Sequence, residues 1–294
     1  VFPIGFDRDV DPKSSIMGRP WFEREVLKLS KLAIKKEKLG IDLEPDLLCI
    51  GFSAMDWIIH DYGPYSQEIM DACIKLDRYL GDFIEYVDQE VGLENVMFVL
   101  TSDHGGLPLP EYLIQKEEKV GRIKKPILNE ALEWIDEEIE EKFGKNLYVR
   151  NGVNFYIDHE KLRKGSVKFS DLFEIIDKYL TRVEGIEKVL SKTSILNSDN
   201  KDNISIRLKN MLHEHKSADI FPLVTHGYIY KSPYGTSHGS PYDYDTHVPL
   251  IFSQKHFNSN IIDIQTETVD IAVTIARILD ISFPDYCDGK PLDI

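Results

Sequence analysis

The sequence predicts an α/β protein in which a mostly parallel sheet is sandwiched between helices and interrupted by an inserted α+β cap subdomain. Three observations predict it. The run "PDLLCIGF" at 45–52 is apolar without alternation, the pattern of a parallel strand covered on both faces. An amphipathic segment at 66–92 separates it from a second apolar run, "NVMFVLTSD" at 95–103, so strand, helix and strand read as a right-handed crossover. From about residue 110 the chain changes to acidic helices and a hairpin, and α/β patterning resumes near 218.

Each element has its own grounds. Residues 21–40 carry apolar side chains at helical spacing and end at Gly40, a candidate C-cap. In 66–92, Ile69, Cys73, Leu76, Leu80, Phe83 and Val87 form a stripe at steps of three and four, with Ser66 placed to cap it and Gly92 to end it. "LNEALEWIDEEIEEKFG" and "DLFEIIDKYLTRV" read as helices, and "NLYVRNGVNFYID" as a hairpin turning at Asn151-Gly152. "DIFPLVTHGYIY" (219–230), "HVPLIFS" (247–253) and a helix at 268–280 complete the pattern. The expected organisation is a first part of the core at 1–109, the cap at 110–217, and the C-terminal part of the core at 218–294.

At 294 residues, with 42% hydrophobic and 29% charged, the chain reads as a soluble globular protein able to bury a substantial core. Its net charge of -15 argues against a nucleic-acid backbone or an anionic membrane as the main partner. A small anionic substrate stays open, because a bound metal inverts the local field. No apolar run reaches the ~20 residues that span a bilayer. Cys49, Cys73 and Cys287 show no metal or redox spacing, and the first two read as core residues.

The chemistry gathers at strand ends, where ligands bind in open α/β sheets. Asp56 and His60 follow the first strand, and a spacing of four on a helix puts both on one face. Asp103 and His104, in "TSDHGG", end the second strand. His238 lies between small residues in "YGTSHGSPYDYDTHVPLIF" and is the preferred third donor. His247 begins a strand and reads as a packing or supporting group. His159, His213, His215 and His256 read as solvated, and His226 as either core or near the site. Asp and His donors suit zinc, which in catalytic sites takes three protein ligands and an open position. Asp56, His60 and His238 would complete one such site. Asp103 and His104 supply only two ligands of a second, and a pair of metals roughly 4 Å apart clamps the attacking and leaving oxygens of a phosphoryl transfer.

These stretches resemble the alkaline phosphatase superfamily, and more narrowly the phosphate-irrepressible alkaline phosphatases and the type I phosphodiesterase/nucleotide pyrophosphatases. The resemblance rests on 45–88, on "VMFVLTSDHGG", on "SHGSPYDYDTHVPLIF" and on "TVDIAVTIARILDISFPDYCDGKPL", about half the chain in family order. It implies an alkaline-phosphatase-like fold, two zinc ions in the intact enzyme, and a small phosphate ester as substrate. It also implies a periplasmic or secreted location. By it, Asp56, His60 and His238 hold one zinc, and Asp103 with His104 helps hold the other.

The resemblance carries a departure. Such enzymes use a Thr or Ser nucleophile and a further metal-binding Asp from an upstream segment, and residues 1–52 offer no counterpart. Asp7, Asp9, Asp11, Ser14 and Ser15 sit in a polar leader with no strand before them. The chain therefore reads as the C-terminal two thirds of such an enzyme, binding one zinc or none and carrying no catalytic nucleophile. Ser53, Thr101 and Ser237 are the nearest hydroxyls. A phosphomonoesterase is the expected activity, and a phosphodiesterase with the same metals is the alternative. A non-catalytic metal-binding domain is the reading from another class. A sulfatase is disfavoured, because none of the cysteines sits in a Cys-x-Pro-x-Arg context.

Overall fold

The computed structural model describes residues 16–230 and 233–294. The polar leader with Asp7, Asp9, Asp11, Ser14 and Ser15 lies outside the described residues. Helix α1 spans Pro20–Glu37, α2 Ala54–Tyr62 and α3 Gln67–Glu90, and strand β1 is Met97–Thr101. Then follow α4 (Pro110–Ile114), β2 (Gly121–Arg122), α5 (Lys125–Phe143), β3 (Tyr148–Asn151) and β4 (Asn154–Ile157). Next come α6 (His159–Gly165), α7 (Phe169–Leu180), β5 (Ile186–Ser191), α8 (Lys192–Leu196) and α9 (Asn203–Met211). The chain closes with β6 (Ile220–Val224), β7 (Tyr228–Ile229), α10 (Asp243–Thr246), β8 (Leu250–Gln254) and α11 (Asp270–Ile278). Two compact units result. One takes in the chain up to Ile58, Gln67–Asp103 and Val248–Ile294; the other takes in Ile59–Ser66 and His104–His247.

In the first unit, α1 packs on α3 because both carry an apolar stripe. Leu27 and Ile34 meet Phe83 and Val87, all buried, with Ile50, Phe52 and Phe98 against them. Each such side chain contributes roughly 1.5–3 kcal/mol when fully buried. Helix α1 ends earlier than the spacing predicts. Lys38, at φ 58, is its left-handed cap, and its amide donates to the Ile34 carbonyl. Gly40 serves the turn instead: its φ is +71, and a Cβ there would stand 2.7 Å from Val91 Cγ1.

The strand expected at 45–52 is corrected. Among the described residues it joins no ladder, and β1 pairs antiparallel with β8, Met97 opposite Gln254 and Thr101 opposite Leu250. The crossover of two parallel strands is therefore not formed within this unit. Cys49 and Cys73, expected in the core, are both exposed. The reason is one-sided cover: the helices take up Ile50, Phe52 and Phe98, while Leu47, Leu100 and Ile251 stay exposed.

The second unit is built on a four-stranded antiparallel sheet in the order β3-β4-β6-β5. The hairpin forms where Asn151-Gly152 predicts it, with Asn151 opposite Asn154 and Gly152 at φ 60. Helices α5 and α7 cover the sheet through Ile135, Leu172, Ile176 and Leu180, which enclose Phe155 and Ile220. Strands β2 and β7 form a short parallel pair. It ties the residues after α4 to the segment leading into the loop that carries His238.

Candidate metal centre

Helix α2 is short, and its two donors sit in its end turns: Asp56 in the first, His60 in the last. The carboxylate suits the positive end of the helix dipole. At nine residues, such a helix is marginal on its own and takes its order from its surroundings. At its start, Glu23 of α1 accepts a hydrogen bond from the Ala54 amide at 2.6 Å. Glu23 is 0% exposed, and burial pushes its carboxyl above the ordinary carboxylate range despite the amides that bond to it.

The end of α2 is joined to the loop that carries the third donor. The amide of Thr236 donates to the His60 carbonyl at 2.9 Å, and the His60 Nδ1 lies 2.8 Å from the Thr236 carbonyl. Thr236 is itself buried, its hydroxyl donating to the Leu107 carbonyl at 2.6 Å. Arg122, paired with Glu111 through two contacts of 2.7 Å, donates to the Gly235 carbonyl. Past His238, Asp245 accepts the Ser240 amide at 2.7 Å and the Ser240 hydroxyl at 2.6 Å on one oxygen. Its other oxygen is buried without a partner among the described residues.

The geometry then closes on three donors. His238 Nε2 stands 3.2 Å from His60 Nε2, and ligand atoms of Asp56, His60 and His238 all lie within 4.8 Å of one another. Asp56 and His60 are both carried by α2, four residues apart. The donor set fits a cation. A carbonyl only accepts, so the His60 proton belongs on Nδ1 and the Nε2 lone pair would be the atom to hold a cation. Two Nε2 atoms at that distance beside a carboxylate need a proton or a metal between them.

His104 stacks on His238, centroids 3.4 Å apart, and its Nδ1 lies 2.9 Å from the Gly105 carbonyl. Asp103 and His104 belong to no cluster of three donors among the described residues. His247 is exposed at the end of α10. His226 is exposed too, with its ring edge-on to Tyr242 and Tyr244. His159 is exposed but pairs with Asp219 at 3.2 Å.

Sequence reasoning passed over Thr236, Asp245 and Glu23. For Glu23 a signal was present. It stands in line with Leu27, Ser30 and Ile34 on the buried face of α1, a charged residue at a core position.

Comparison with known proteins puts the chain in the alkaline phosphatase superfamily. Within it, the chain belongs to the type I phosphodiesterase / nucleotide pyrophosphatase family, whose model matches residues 4–248. The alkaline phosphatase PafA of Elizabethkingia meningoseptica is 27% identical over 95% of this chain and 51% of that protein. A protein of Myroides odoratus named a calcium-transporting ATPase is 29% identical over 90% of this chain and 49% of its own length. The crystal structure of wild-type PafA matches with a TM-score of 0.85 at 26% identity, over 95% of this chain and 53% of that one. The chain spans about half the length of the curated relatives it matches.

Proposed function

We propose that this chain is the metal-binding part of a zinc-dependent phosphomonoesterase that works through a phospho-enzyme, with its nucleophile upstream of residue 1. The observation that carries the reading is the meeting of Asp56, His60 and His238. Zinc held by them would supply a Lewis acid for a phosphoryl oxygen. The chain's own residues do the arranging. The Thr236 carbonyl holds the proton of His60 on Nδ1 and so aims Nε2 at the site. The loop from Gly235 to Ser240 is fixed at both ends, by Arg122 and by Asp245, which sets His238 against His60.

Asp103 and His104 are proposed as ligands of a second zinc completed by upstream groups, so residues 1–294 alone would bind one zinc or none. Relatives named as alkaline phosphatases favour the monoester reading. The family's own description favours the second reading, a phosphodiesterase with the same metals. A periplasmic or secreted location is proposed with it, supported by the resemblance to alkaline phosphatases. Among the described residues no helix is long and apolar enough to cross a membrane.

The test is an assay of the full-length protein on p-nitrophenyl phosphate and bis-p-nitrophenyl phosphate. Turnover of the monoester that a chelator abolishes and zinc restores is expected. Faster turnover of the diester would favour the second reading. No turnover of either would leave a non-catalytic metal-binding domain.

A further inference from the structure

We infer that Glu23 is a positioning residue for the metal centre, acting as a cap supplied by α1 to the start of the ligand-bearing helix α2. The inference rests on the metal-binding reading of Asp56, His60 and His238. A side chain that is 0% exposed and ends in a carboxyl group is costly to place in a core unless something there uses it. What uses it is the Ala54 amide, 2.6 Å from one carboxyl oxygen and 31 positions away in sequence. Helix starts leave their first amides without partners inside the helix, and caps normally come from the residue just before the helix. Here the acceptor comes from a different helix.

The consequence is geometric. Ala54 is the first residue of α2 and Asp56 lies two residues further on, so the Glu23 contact sets where the first turn begins and where that carboxylate points. The same stripe of α1 is locked into the core by Leu27 and Ile34. The cap is therefore held by a rigid element, and α2 gains a fixed starting point that its own nine residues do not supply. Its second carboxyl oxygen is buried without a partner among the described residues, so the bonds that Glu23 accepts are those from amides at the start of α2.

Zinc binding to the 294-residue chain, followed by calorimetry with a competing chelator, tests this. Glu23→Ala should weaken zinc binding about tenfold or more, the usual scale for losing a group that orients a ligand. Glu23→Gln keeps an oxygen at the same reach and should stay within about threefold of the parent. Leu27→Ala, one turn along the same stripe, is the control for stability alone. It should lower the melting temperature with little change in affinity. Equal losses of affinity in Leu27→Ala and Glu23→Ala would overturn the inference.

If Glu23→Ala does not fold, Glu23→Asp replaces it. That variant draws the oxygen back by one methylene and should bind zinc more weakly than Glu23→Gln; equal affinities would overturn the inference. If the 294-residue chain binds no zinc by itself, the metal-binding reading is tested on the full-length protein, and hydrogen exchange still decides on Glu23. Amides at the start of α2 should exchange faster in Glu23→Ala than in Leu27→Ala, and unchanged exchange would refute the cap.

Discussion

His104 lies flat against His238, with ring centroids 3.4 Å apart and planes 15° from parallel. The contact gives the two rings different roles. His238 faces His60 through Nε2, whereas His104 buttresses it from the other side. His238→Ala removes one of three donors and should weaken zinc binding about a hundredfold or more. His104→Ala leaves the three donors in place and should weaken it only a few-fold. Comparable losses in calorimetric titration would show that His104 belongs to the same ligand set.

Asp245 should matter more than its distance from the chemistry suggests. It is 4% exposed, and one of its oxygens collects both the amide and the hydroxyl of Ser240. Asp245→Ala takes the acceptor from two partly buried donors, at about 1 kcal/mol each. Asp245→Asn keeps one acceptor and gives the buried, unpartnered position a donor instead. Chemical denaturation should rank them wild type, then Asn, then Ala. An alanine variant as stable as wild type would show that the loop past His238 does not depend on this group.

Acid should release a specific anchor in the second unit. Lys142, Lys178 and Tyr179 all bond to Glu138 and hold its carboxyl down to about 2. A lowered carboxyl stabilises the folded state above its unfolded range, and the contribution is lost as pH falls through the folded value. The melting temperatures of wild type and Glu138→Gln should differ most above about pH 5 and converge toward pH 2. A difference that stays constant through that window would refute the assignment.

Two glycines should respond in opposite directions. A Cβ on Gly105 would stand 2.2 Å from the Tyr244 carbonyl oxygen, so Gly105→Ala forces backbone apart next to His104 and should cost about 1–3 kcal/mol. Gly81, inside α3, has nothing within 4 Å of its missing Cβ. Gly81→Ala should stabilise by about 0.5–1 kcal/mol, because alanine has less chain entropy to lose in a helix. Thermal melts of both variants check the pair, and a stabilising Gly105→Ala would contradict the close approach.

Read alone, the sequence determined what depends on neighbours a few residues apart. The stripe of α3, the helices α5 and α7, the hairpin at Asn151-Gly152 and the spacing of Asp56 to His60 are all of this kind, because helix and hairpin hydrogen bonds close over short loops. Tertiary structure alone decided the contacts that close over long ones. The sequence preferred His238 to His247, but how closely its Nε2 approaches that of His60, 178 positions away, follows from the path of the loop held by Thr236 and Asp245. That β1 pairs with β8, and that Cys49 and Cys73 stay exposed, follows from which faces the helices of that unit reach. An apolar run states that it can be covered; only the packed chain states on which side.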